Sequence, residues 1–156
     1  MRGRPYIAVI GAGTCDETEA ALAEEVGRLL GRAGALVVCG GLGGVMEGAC
    51  RGAKAAGGAT LGLLPGLDRA DANTWVDIAV PTGLGEARNV LVVRIADAVI
   101  AIGGEFGTLS EIGFALKTGK PVVGLGTWDL PRRPDAIVRA SSAAEAVSLA
   151  LERCKR

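Results

Sequence analysis

The stretch Leu36-Val37-Val38-Cys39 runs into Gly40-Gly41-Leu42-Gly43-Gly44 and then into Val45-Met46-Glu47, which opens an alanine-rich segment closed by Gly57-Gly58. Four apolar residues in succession fit a strand covered on both faces, and the segment from Val45 to Ala56 fits a helix. Strand, glycine turn and helix together form the repeating unit of a parallel sheet with crossover helices.

The unit recurs outward in both directions. Upstream, Tyr6 to Ile10 reads as a strand, and Thr14-Cys15-Asp16 caps a helix from Glu17 to Ala33 that presents Leu22, Val26, Leu29 and Leu30 on one face. Downstream, Thr60 to Leu64 and Val76 to Val80 read as strands around a Pro-, Gly- and Asp-rich loop over 65–75. Gly85 to Ala96 reads as one helix, apolar on nearly every side at Val90, Leu91, Val92, Val93 and Ile95. Such a helix is expected either at an interface between copies of the chain or beneath long loops.

Asp97 to Ile102 is a further strand, Gly103 to Gly107 a turn, Thr108 to Lys117 a helix and Val122 to Leu125 a sixth strand. After a loop over 126–134, a short edge strand is expected near Ile137-Val138, and Ser142-Ala143-Ala144-Glu145 is a capping box opening a last helix to Cys154. The whole chain, 1–156, therefore reads as one α/β domain: a Rossmann-like three-layer sandwich, its sheet mostly parallel and its helices on both faces. Ligands of such sheets bind beyond the carboxyl ends of the strands, where three of the glycine turns fall.

The composition narrows the chemistry. Among 156 residues there is no histidine, which excludes Ser-His-Asp triads, Cys-His dyads and histidine-bearing zinc sites. Seventeen basic residues balance seventeen acidic ones, so no net field draws the chain to nucleic acid or to a membrane, and neither is expected as a partner. Cys15, Cys39, Cys50 and Cys154 lack ligand-like spacing and read as reduced core residues, with no metal site. The sequence has neither an apolar leader nor an 18-residue apolar stretch, so a cytoplasmic protein is expected.

The glycine turns carry the candidate site. Gly11-Ala12-Gly13-Thr14-Cys15-Asp16 begins like a dinucleotide fingerprint but has Asp16 where the third glycine belongs, and the second strand lacks the ribose-binding acid at its end. The Walker pattern is absent as well. What remains is Gly40-Gly41-Leu42-Gly43-Gly44 and Gly103-Gly104-Glu105-Phe106-Gly107-Thr108, each able to aim backbone N–H groups and a helix N-terminus at a phosphate. The competing reading is that the glycines only permit tight turns. Glu111 has a competitor of its own, since Thr108-Leu109-Ser110-Glu111 is also a capping box, and Arg88 could be a solvated helix residue paired with a nearby acid.

Gly40-Gly41 to Met46, Ala87-Arg88-Asn89, and Gly103-Gly104-Glu105-Phe106-Gly107-Thr108-Leu109-Ser110-Glu111 resemble the LONELY GUY family, once labelled lysine decarboxylases, in a short branch of it. Molybdenum cofactor carrier proteins share that fold. The family signature is Pro-Gly-Gly-x-Gly-Thr-x-x-Glu, preceded by a helix with an Arg-Lys pair; here Ile102 stands in place of the proline and Asn89 in place of the lysine.

The resemblance implies a phosphoribohydrolase that cleaves the N-glycosidic bond of a nucleoside 5′-monophosphate, of cytokinin-riboside or AMP type, with Arg88 and Glu111 as catalytic residues and no cofactor. Gly11, Gly13, Gly40, Gly41, Gly43, Gly44, Gly103, Gly104, Glu105, Phe106, Gly107 and Thr108 would form the phosphate- and nucleotide-binding set, with Met46 and Glu47 packing or capping. A homodimer or higher homo-oligomer through the 85–96 helix is expected. The alternative is a non-catalytic protein that binds or carries a nucleotide or the molybdenum cofactor with the same turns. Decarboxylation by pyridoxal phosphate would need a lysine, and only Lys54, Lys117, Lys120 and Lys155 exist, of which Lys117 and Lys120 end a helix, where cations are favoured anyway.

Overall fold

A computed structural model describes residues 3–154; Met1, Arg2, Lys155 and Arg156 lie outside the described residues. Seven strands, β1 (Tyr6–Gly11), β2 (Leu36–Cys39), β3 (Ala59–Leu64), β4 (Ile78–Pro81), β5 (Ala98–Ile102), β6 (Val122–Leu125) and β7 (Val138–Arg139), form one sheet in the order β4-β3-β2-β1-β5-β6-β7. Every neighbouring pair is parallel. The sheet is thus wholly parallel, and the expected edge strand at 137–138 is present one residue later.

Five α-helices connect the strands: α1 (Glu17–Arg32), α2 (Val45–Ala55), α3 (Asn89–Ile95), α4 (Phe106–Lys117) and α5 (Ala143–Arg153). Side-chain alternation along the strands divides the core into two layers. Ile7, Val9, Val37, Ile100 and Ile102 pack with α1, α2 and α5 on one face. Ala8, Ile10, Val38, Val99 and Ala101 pack with α3 and α4 on the other. The side chain of Asp16 accepts from the Glu19 amide and that of Ser142 from the Glu145 amide, but the expected capping box is only half formed, because Glu145 reaches back to the Ser141 amide rather than that of Ser142.

Helices α1 and α2 lie against each other with almost no gap. A Cβ added at Gly27 would sit 1.9 Å from the Ala49 carbonyl oxygen, and one at Gly52 would sit 1.9 Å from that of Glu24. Glycine in mid-helix normally costs about 1 kcal/mol relative to alanine, so here backbone contact between the helices outweighs propensity.

Two expected elements differ. The 85–96 segment is split into a 3₁₀ turn, Gly85–Arg88, followed by α3, and of its apolar residues Val92, Val93 and Ala96 are buried within the chain. Val90 and Leu91 are half-buried and Ile95 is 37% exposed. The 65–75 loop carries one 3₁₀ turn, Arg69–Asp71, capped by Asp68. No helix among the described residues is long and apolar enough to cross a membrane.

The strand order positions the site. The chain winds outward from β1 through β2, β3 and β4, then returns across the sheet to β5 on the other side of β1. Connections after β1 and β5 therefore leave in opposite directions, opening a crevice at their carboxyl ends. The segment that makes the return, 82–88, passes over this crevice and carries Arg88 into it.

Candidate functional site

A cleft of about 600 Å³ lies over the carboxyl ends of β1, β2 and β5. Its walls come from Gly11, Ala12, Gly13 and Thr14 after β1, Gly40 and Leu42 after β2, Pro65 after β3, Glu86, Arg88 and Asn89 on the return segment, and Glu105, Gly107, Thr108 and Glu111 at the start of α4. Arg88, Thr108 and Glu111 are three of the four buried polar or charged residues in the described chain, at 8%, 3% and 8% exposure. The arginine and the carboxylate, 23 positions apart in sequence, are brought together in one crevice.

Arg88 is not a solvated helix residue. It ends the 3₁₀ turn, where its guanidinium donates to the Asn89 side-chain carbonyl and, at 3.4 Å, to the main-chain carbonyl of Gly40. A Cβ at Gly40 would lie 2.7 Å from the arginine Nη2 and 2.8 Å from the Met46 sulfur, so a side chain there would displace both. The Nε–H has no partner and is the single buried side-chain nitrogen or oxygen so left among the described residues. An unsatisfied buried donor costs on the order of 1–3 kcal/mol and is a reason to expect a ligand acceptor.

The capping box proposed for Glu111 does not form. Helix α4 begins at Phe106 with Glu105 as N-cap, so Thr108 already sits inside the first turn and Glu111 one turn deeper, facing the cleft. Burial lifts the Glu111 carboxyl to about 8, against the opposing pull of the Arg88 charge. Arg88 in turn is lowered by burial, with Glu111 holding it up. Both line the cleft, and no salt bridge joins them among the described residues.

The glycines divide into two groups. Gly11, Gly13, Gly40 and Gly107 line the cleft, and a Cβ on Gly107 or Gly13 would meet nothing nearer than 3.8 Å. Gly41, Gly43 and Gly44 do not line it. A Cβ on Gly44 would fall 2.2 Å from the Ala12 carbonyl oxygen, one on Gly43 3.1 Å from that of Gly13, and one on Gly41 2.7 Å from Leu64. These three let the turns after β1, β2 and β3 close on one another rather than admit a ligand.

Gly103 and Gly104, with φ of +52° and +105°, border a second recess of about 390 Å³ together with Thr14, Glu19, Glu105, Thr127 and Trp128. Ala12, Thr14 and Glu105 belong to both recesses, so they adjoin. Phe106 points outward, 75% exposed, with its ring 5.5 Å from that of Trp128.

Met46 lines the cleft and packs on Cys39 and Cys50, whose sulfur atoms lie 3.5 Å apart as free thiols. Cys15 and Cys154 are only partly buried, so the expectation of four core cysteines holds for two. Glu86, Pro65, Thr14 and Trp128 escaped the sequence reading, because each is an isolated residue whose position depends on how the loops converge.

A family model described as SLOG cluster4 matches residues 4–153. An uncharacterized protein of Archaeoglobus fulgidus is 47% identical over 119 residues, 76% of this chain and 78% of its own length. Among solved structures, the molybdenum cofactor binding protein of the phototrophic bacterium Rippkaea orientalis is similar with a TM-score of 0.91 and 37% identity, over 97% of this chain and 98% of that one. The molybdenum cofactor carrier protein of Chlamydomonas reinhardtii is similar with a TM-score of 0.86 and 33% identity, over 99% and 100% of the two chains. A Rossmann-like parallel sheet, a crevice at its topological switch point and a family match over nearly the whole length agree: this chain belongs to the SLOG cluster4 family.

Proposed function

We propose that this protein binds a phosphate-bearing nucleotide or pterin-type ligand, such as the molybdenum cofactor, and holds it without transforming it. The observation that carries this reading is the buried, unpartnered Nε–H of Arg88, a residue that lines the cleft together with the glycine turns and the start of α4. A phosphate oxygen would satisfy that donor and gain from the helix end as well. The likeness to cofactor-binding and carrier proteins over almost the full chain adds support. No three His, Cys, Asp or Glu side chains among the described residues are grouped to hold a metal ion, so the fit is to the phosphate end of such a cargo.

A second reading rests on Glu111. A carboxyl with a value of about 8 is mostly protonated at neutral pH and would give its proton to the leaving base as the N-glycosidic bond breaks, while water adds through its oxygen to the sugar carbon and returns a proton to the carboxylate. That would make the protein a phosphoribohydrolase of the LONELY GUY type acting on a nucleoside 5′-monophosphate.

One experiment separates the two. Purified protein is incubated with AMP, GMP, pyrophosphate and isolated molybdenum cofactor, with binding read by calorimetry and free base by chromatography, beside Glu111→Gln. The carrier reading expects binding without base release. Base release that disappears in Glu111→Gln would replace it with the hydrolase, and absence of binding to every probe would overturn both.

We also infer that the chain forms a homo-oligomer through the 85–96 segment, because Val90, Leu91 and Ile95 keep apolar surface exposed there.

A further inference from the structure

At the opposite end of the sheet from the candidate site, below the amino ends of β5 and β6, lies a larger groove of about 1170 Å³. Leu116, Leu130, Pro131 and Ala136 supply its apolar surface. Lys117, Lys120, Arg132, Arg133 and Arg153 surround it, against a single carboxylate, Asp97. Five of the seventeen cations of a chain with no net charge are thus gathered in one place.

Local structure accounts for only part of the cluster. Lys117 and Arg153 occupy the last turns of α4 and α5, where the helix dipole favours a cation. Lys120 follows the end of α4, and Arg132 and Arg133 stand exposed on the 126–137 loop with no helix end of their own. The ion pairs formed among the described residues join Arg28 to Glu25, Arg51 to Glu24, Lys54 to Asp77 and Arg139 to Asp129, none of them in the groove. Lys120 and Arg153 donate to the neutral main-chain carbonyls of Ala96 and Leu149, and neither joins one of these ion pairs. Asp97 is engaged by the Tyr6 amide at 2.8 Å.

The same geometry narrows the occupant. A compact phosphate is best held by converging backbone N–H groups, whereas α4 and α5 present their carbonyl ends to this groove, so any anion here is held by the side-chain cations alone, which are spread rather than convergent. A single-stranded nucleic acid would want aromatic platforms, and no aromatic side chain lines the groove. A spread of cations from three separate elements over an apolar floor suits an extended chain bearing several carboxylates and a few aliphatic anchors.

We propose that this groove docks an acidic, leucine-bearing segment of a partner protein, at a surface remote from the cleft and independent of what the cleft holds. The test uses fluorescence anisotropy of the whole protein with a labelled twelve-residue peptide of alternating Glu-Glu-Leu, beside a labelled twelve-nucleotide oligothymidylate, at low and moderate salt. The peptide is expected to bind more tightly than the oligonucleotide and to weaken as salt rises. R132E/R133E should weaken it at least tenfold, and Lys117→Gln, on a different element, by a smaller factor. Both variants should keep the wild-type melting temperature and calorimetric response to AMP. Failure of the peptide to bind at low salt, tighter binding of the oligonucleotide, or unchanged peptide affinity in R132E/R133E would each overturn the proposal.

Discussion

Replacing Glu111 by Gln should make the protein more stable in alkali and leave it nearly unchanged in mild acid. The carboxyl is 8% exposed, and burial raises it from 4.5 to about 8 in the folded chain. A carboxyl raised on folding binds its proton more tightly in the folded than in the unfolded state. Its contribution is therefore fully favourable below about 4.5, declines as pH rises through 4.5 to 8, and is constant above that. At about 1.4 kcal/mol per pH unit, that interval sets a ceiling of about 5 kcal/mol for the stability lost, or on the order of 10 °C in melting temperature for a chain of this length. Glutamine has nearly the same shape as the protonated acid and never ionises. Melting scans of both proteins from pH 5 to pH 9, read as a difference so that other groups cancel, should coincide near pH 5 and diverge by several degrees at pH 9, the variant melting higher. Parallel curves at all pH values would refute the assignment of a buried, proton-retaining carboxyl, as would a variant that melts lower at pH 9.

Arg88→Gln should remove most binding of a phosphate-bearing ligand: at one hundred times its dissociation constant such a ligand stabilises by about 2.7 kcal/mol, and the matching rise in melting temperature should fall below about 1 °C in the variant. Gly27→Ala should destabilise by about 2–4 kcal/mol in a denaturant titration, opposite in sign to the helix-propensity effect, because its Cβ would overlap the Ala49 carbonyl. Asp16→Ala should cost about 1 kcal/mol by loss of the cap on the Glu19 amide, read in the same titration. Ile95→Glu should shift the species seen by light scattering toward the single chain if the 85–96 segment joins copies.

Much of the fold was written in local pattern. The apolar runs at 6–10, 36–39, 98–102 and 122–125 are continuous because both faces of those strands are covered, and period alone located them within a residue or two. The return segment was harder: the arginine at 88 ends a 3₁₀ turn, and nothing in Gly85-Glu86-Ala87-Arg88 separates that turn from the helix it precedes.

The site was legible in part. Glycine turns announced where the strands end, but not which glycines face a ligand; only the packing of Gly44 on Ala12 and of Gly40 on Arg88 separates the two roles. Glu111 read equally well as a helix cap, and the choice depends on whether α4 starts at Phe106 or at Thr108, a two-residue difference that sequence periodicity does not resolve. The basic groove left no motif at all, because its five cations come from α4, the turn after it, the 126–137 loop and α5.

In the proposed function, Arg88 in the crevice at the switch point receives a ligand phosphate. A crystal structure of the protein grown with a nucleoside monophosphate or with molybdenum cofactor tests this most directly. A phosphate oxygen is expected about 3 Å from the Arg88 Nε, within reach of the amides of Gly107 and Thr108. A ligand whose phosphate lies elsewhere, with the Arg88 Nε still unpartnered, would contradict it.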